Sequence, residues 1–153
     1  MRGLRLGGHP LHPALVHFPV VCWTATPVLY AAYLPGRDLA FWHYAWWCDA
    51  IGSAMALLAM TAGFMDLMAV PAGRAQDLGQ RHMLLMASAW CVYAAVLVIF
   101  PISAPPTSIL AWSALGLSAS GFTLMGVGAY AGASLVYDFG IGQTGRSREA
   151  GIP

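Results

Sequence analysis

Charge is what this chain has least of. Asp, Glu, Lys and Arg make up 8% of its 153 residues, lysine is absent, and all seven bases are arginine. A soluble domain carries about 25% charged residues, so this chain cannot coat a globule with charge and its natural solvent is lipid. The net charge of +1 leaves no basic stripe, which excludes a nucleic-acid partner. Cysteine is scarce too. Cys22, Cys48 and Cys91 all lie in apolar runs and form no CxxC pair, so they read as small buried hydrophobes. No G-x-S-x-G, phosphate loop or H-E-x-x-H occurs, so no catalytic residue is assigned and enzyme activity is left open. Arg2 and Arg5 resemble the start of a signal peptide. The His-Pro stretch interrupts before any apolar region, and no Ala-x-Ala site follows. Nor is an internal repeat of the kind transporters carry evident.

Four long apolar runs dominate what is present, at about 13–34, 41–70, 82–100 and 109–137. Each meets or approaches the ~20 residues that cross a bilayer as a helix. The connections PGRDLA, PAGRAQDLGQR and PISAPPTS are short. Short connections force antiparallel neighbours, so the expected fold is all-α, a single membrane domain built as an up-down four-helix bundle. Pro13 suits a first helical position, and Pro19 and Pro27 fall inside the first run, where neighbouring helices must satisfy the carbonyls they free. Arg2, Arg5, Arg74, Arg81, Arg146 and Arg148 share one side of this topology, with Arg37 alone on the other. The positive-inside rule then makes both termini cytoplasmic in a bacterial inner membrane. Trp42, Trp46 and Trp47 beside His43 read as an interfacial aromatic belt on the far face. Small residues recur at four-residue spacing: Gly52 with Ala56, Ala59 with Gly63, Gly128 with Gly132. They mark either close helix packing or room for a flat cofactor such as a porphyrin.

The polar residues gather at one end. His9, His12 and His17 precede or enter the first span, Asp66 is near the end of the second, and Arg81 and His82 open the third. Tyr137 and Asp138 close the fourth. Polar groups belong at helix ends, and each of these has a structural reading as a cap, an interfacial residue or a satisfied hydrogen bond. His17 and Asp66, however, lie within apolar sequence, where ionisable groups usually mark a site. His17 and His82 are a candidate axial pair for b-type haem, on different helices at similar depth. Asp66 and Tyr137 are expected to support them, and Arg81 or Arg74 to hold the propionates. The rival is a single transition-metal ion on His9, His12, His17 and His82, with Asp66 as an oxygen donor. The five-residue step from His12 to His17 is about 140° around an ideal helix, so both reach one ion only if the helix is irregular there. A third reading has no cofactor and makes the chain a structural or assembly subunit of a larger membrane complex.

The stretch GHPLHPALVHFPV resembles the opening signature of a bacterial integral membrane family catalogued as domain of unknown function 2231. The resemblance continues through Ala62-Gly63-x-x-Asp66, Arg81-His82 and the run from Gly132 to Gly142. Near Met86 this chain departs from relatives that often carry Asn. The resemblance implies a four-helix membrane protein. Some relatives are joined to Rieske iron–sulfur or other redox domains, which implies electron transfer with a quinone, a redox protein or a larger membrane complex as partner, beside the lipid itself.

Overall fold

The structure is a computed structural model, and it describes residues 5–7, 9–103 and 106–141. Arg2, Arg146, Arg148 and Gly142 lie outside the described residues. The chain opens with a small antiparallel hairpin of β1 (Arg5–Leu6) and β2 (His9–Pro10), turning at Gly7 with φ of +57°, a value glycine adopts freely. Five helices follow: α1 (Leu11–Leu15), α2 (His17–Gly36), α3 (Leu39–Met68), α4 (Arg74–Ile99) and α5 (Ser108–Tyr137). With α1 and α2 counted as one span, four helices are long and apolar enough to cross a membrane. The protein is therefore an all-α, four-helix membrane bundle.

Proline chemistry explains the first span. Pro19 has no amide hydrogen to give the Leu15 carbonyl, and its ring crowds that carbonyl. The helix duly breaks there, between Leu15 and His17, with Val16 donating to His12 O at 3.1 Å across the joint. Pro27 lies inside α2 and frees the carbonyl of Trp23. That carbonyl accepts a hydrogen bond from Tyr93 Oη at 2.7 Å, so a neighbouring helix supplies what the proline withheld.

The third span begins eight residues earlier than the apolar run suggests, at Arg74 rather than His82. Asp77 in its first turn favours the helix N-terminus, and Gly73 precedes it with φ of +145°. His82 is consequently more than two turns inside α4.

The packing is inverted relative to a soluble bundle. Large aliphatic side chains such as Val21, Leu84, Val98 and Ile109 face outward, while the interior holds rings and small residues. One buried cluster, toward the Arg37 end, joins Tyr30, Tyr33 and Trp42 to Ala45, Val96, Ala111 and Ala114. A second joins Trp23 and Tyr93 to Ala56, Ala89 and Met125. Two expectations are corrected here. Trp42 is not part of a surface belt, for it packs on Tyr30 and Tyr33, whereas Trp47 and His43 do face outward. Cys91 is exposed on the outer face of α4 rather than buried.

The bundle is also an internal repeat, contrary to the expectation from sequence. The α2–α3 hairpin is matched by the α4–α5 hairpin. Trp23 follows His12 by eleven residues, as Tyr93 follows His82. Gly52, Ala56, Ala59 and Gly63 match Gly121, Met125, Gly128 and Gly132, each at the same spacing. Equivalent residues meet each other: the His12 and His82 rings are 6.3 Å apart between centroids, and Trp23 stacks on Tyr93 at 4.6 Å with 7° between planes. Equivalent groups touch only near a symmetry axis, so an approximate two-fold axis runs down the bundle between these pairs. The repeat escapes the sequence because only a few positions keep their residue, His12 with His82, Gly52 with Gly121 and Gly63 with Gly132, while others, such as Ala56 with Met125, and the lipid-facing residues have drifted.

Candidate functional site

The end of the bundle carrying the β hairpin and the α3–α4 connection encloses a cavity of about 620 Å³. Every helix contributes to its walls, which are mostly apolar. Its polar lining includes His12, His17, Asp66, His82 and Tyr137, and Trp23 is among its aromatic lining. The volume falls within the range of about 300–1,000 Å³ of small-molecule and cofactor sites.

His12 and His82 are built alike. His12 Nδ1 donates to Ala59 O at 2.8 Å, and His82 Nδ1 donates to Gly128 O at 2.7 Å. A carbonyl oxygen can only accept, so each Nδ1 carries the ring hydrogen and each Nε2 keeps a free lone pair. One helical turn beyond each carbonyl is a glycine that lets the ring lie flat on the helix. A Cβ on Gly63 would sit 2.9 Å from His12 Cε1, and one on Gly132 would sit 2.9 Å from His82 Cε1. Each imidazole is thus gripped by a main-chain carbonyl and seated on a bare stretch of backbone. The small-residue ridges serve as ring seats as well as helix contacts. The two rings stand at 81° to one another.

The residues singled out in the sequence divide accordingly. The structure sets His82 beside His12, not beside His17. His17 opens α2 after the break at Val16, and its side chain is exposed at the cavity mouth. His9 lies in β2 and is exposed. Asp66 lines the cavity half-buried, and its carboxylate has no partner among the described residues. The ring hydrogens expected to go to Asp66 go to Ala59 and Gly128 instead. Tyr137 is on the lining but largely exposed, and Arg74 and Arg81 are exposed. Among the described residues no three His, Cys, Asp or Glu side chains gather as a metal-binding group. His9, His12, His17 and Asp66 therefore do not form the mixed nitrogen–oxygen set.

A second polar cluster lies deeper. Asp49, in the middle of α3, is fully buried, and its Oδ1 accepts from Ser53 Oγ at 2.9 Å. Ser53 Oγ in turn accepts from Trp23 Nε1 at 3.2 Å, and Ser53 O accepts from Trp90 Nε1 at 3.1 Å. Sequence reasoning passed over Asp49, although an acid eight residues into the apolar run 41–70 is itself a signal. It also missed the pairing of His12 with His82, which the matched spacing from each histidine to an aromatic eleven residues on would have suggested.

No curated protein and no solved structure matches the chain. A family model described as "Predicted membrane protein (DUF2231)" matches residues 8–145. The apolar helices, the His-Pro entry and the family match all point the same way, and the chain belongs to the DUF2231 family of membrane proteins.

Proposed function

We propose that the cavity binds a b-type haem between His12 and His82, and that the protein is an electron carrier of the membrane. The observation that carries this reading is the separation of the rings. Two imidazoles that held one metal through their Nε2 atoms, at about 2.0–2.1 Å each, would have ring centres about 6 Å apart. The centroids of His12 and His82 are 6.3 Å apart. Among the described residues no third protein ligand gathers there, so His12 and His82 would suit a group that carries further metal ligands of its own, as haem does. The apolar walls and the volume of about 620 Å³ suit a flat, mostly apolar group.

Bound there, haem supplies one-electron chemistry. The chain does the rest. The Ala59 and Gly128 carbonyls fix the imidazole tautomers and orient both rings. A hydrogen bond on Nδ1 also makes Nε2 a stronger donor. Gly63 and Gly132 set how far each ring stands from the axis, and the apolar lining excludes water. His17 and Tyr137, exposed on the cavity lining, can donate hydrogen bonds to the polar edge of the ligand. The arginine distribution supports a cytoplasmic reading of this end in a bacterial inner membrane, where a quinone or a redox protein would be the exchange partner.

The test is the visible spectrum of the detergent-purified protein, oxidised and reduced. A Soret band with α and β bands that sharpen on reduction is expected. It should be lost in His12→Ala and in His82→Ala and retained in His17→Ala. A colourless protein from cells supplied with haem would overturn the reading in favour of a structural subunit. Colour lost with His17→Ala but kept with His12→Ala would overturn the ligand assignment.

A further inference from the structure

The deeper cluster has a role of its own. Asp49 is 0% exposed, and while Oδ1 accepts from Ser53, Oδ2 has no partner. The hydroxyl of Tyr30, also 0% exposed, has none either, nor do the indole nitrogens of Trp42 and Trp46. Buried polar groups are almost always satisfied by protein or by ordered water. Among the described residues these four orphans, one on α2 and three on α3, therefore mark an unusual concentration of unpaired buried polar groups.

The surroundings decide the charge on Asp49. The titratable groups that face it are Tyr30 from α2, Cys48 on its own helix and Tyr93 from α4. None of them is cationic. The buried face of α5 presents Ala111, Ala114, Ser118 and Gly121, and its two tyrosines, Tyr130 and Tyr137, are exposed further along the helix. Arg37 and His43, the bases at this end, are exposed, and Arg37 donates to Ser108 Oγ. An ionised carboxylate at this position would be a bare charge in a low-dielectric interior, and such a group takes up a proton instead. Oδ1 is already accepting, which leaves Oδ2 for the proton.

We propose that Asp49 and Tyr30 form an intramembrane proton-binding site. Asp49 is a neutral acid that holds its exchangeable proton on Oδ2, and the unpartnered Tyr30 hydroxyl is the second polar group of the site. Trp23 lines the cavity and also donates to Ser53, so one side chain joins the two sites. The inference stands whether or not the cavity takes haem.

Infrared spectroscopy of the whole protein in lipid nanodiscs at neutral pH reads the site directly. Expected is a carbonyl stretch of a protonated carboxyl, well above the carboxylate bands, that moves down in heavy water. Asp49→Asn and Asp49→Ser should abolish it. If neither variant folds, wild-type and Asp66→Asn proteins carrying ¹³C-carboxyl aspartate give the answer, since the band must shift with the label and survive the loss of Asp66. Absence of a protonated-carboxyl band, its persistence in both folded variants, or its indifference to heavy water would each overturn the proposal.

Discussion

Gly132→Ala and Gly126→Ala are the same chemical change on the same helix, six residues apart, and the structure sends them in opposite directions. At Gly126 a Cβ meets nothing within 4 Å. Alanine there gains helix propensity, about 0.8–1 kcal/mol in aqueous helices. At Gly132 the new Cβ would lie 2.9 Å from His82 Cε1 and 3.0 Å from Nδ1. Ordinary carbon contacts are about 3.5–4.0 Å, so the imidazole must retreat by about 0.5–1 Å. The hydrogen bond to Gly128 O, 2.7 Å in the native protein, is then stretched or lost, at about 0.5–1.5 kcal/mol. Overpacking adds about 1–3 kcal/mol. With the propensity gain set against these, Gly132→Ala is destabilised by about 1–3 kcal/mol. On the proposed haem reading, cofactor binding should suffer more than stability, because ligand distances in a metal site hold to about ±0.2 Å. Thermal melts in detergent should show the two variants shifted in opposite senses, and haem content per protein should fall only in Gly132→Ala. Equal stability and equal haem content in the two variants would refute the seat argument, and with it the claim that backbone closeness positions His82.

Other consequences are simpler to state. Gly63→Ala should repeat the Gly132→Ala phenotype, because Gly63 seats His12 in the same way; haem content measured on both variants checks it. Tyr93→Phe leaves the carbonyl freed by Pro27 without its donor and should cost about 1–3 kcal/mol. In a Pro27→Ala background the loss should shrink, since residue 27 then donates to the Trp23 carbonyl, and a double-mutant cycle of melting measurements reads the coupling. Nitrogen NMR of histidine-labelled protein should show hydrogen on Nδ1 of His12 and His82, because both bond to carbonyl oxygens; Nε2–H forms would contradict this. A single cysteine placed at Arg74 should react with a membrane-impermeant maleimide only after the cells are opened, and one at Arg37 should react in intact spheroplasts.

The four spans were legible because bilayer thickness leaves few ways to arrange long apolar runs. Helix starts were less so. His82 read as the first residue of its helix because hydropathy begins there, while the polar turn from Arg74 to Arg81 is helical for reasons hydropathy does not record. The site was half legible. Histidine at a membrane entry announced itself, and His82 was found on its own merits. Choosing its partner required knowing that Pro19 breaks the helix after Leu15, which frees His12 to turn inward and leaves His17 at the mouth. The groups that orient both rings are main-chain carbonyls, which no side-chain pattern encodes. Asp49 was visible in the sequence but stood away from the histidine cluster, and attention to one end of the bundle hid it.

The two-fold repeat separates what the fold needs from what the site needs. Positions that touch the axis are matched in kind: imidazole with imidazole, large aromatic with large aromatic, glycine with glycine. A ligand held between His12 and His82 sits where the axis runs, so duplication of one helical hairpin gives two facing donors without a second invention. At the position equivalent to Asp49 the other hairpin has Ser118, which is fully buried and donates to Leu115 O at 3.1 Å. The bundle therefore accepts serine at this packing position. Asp49→Ser should accordingly preserve the fold, with a melting temperature close to wild type, while removing the buried acid. Ser118→Asp should be the damaging change, because α5 offers that carboxyl no counterpart of Ser53: the equivalent residue is Phe122. An unpartnered buried polar group costs about 1–3 kcal/mol. If Asp49→Ser unfolded the protein while Ser118→Asp was tolerated, the acid would be a structural requirement of the first hairpin. Stability kept in Asp49→Ser and lost in Ser118→Asp would mean that the carboxyl is retained for the proton it holds.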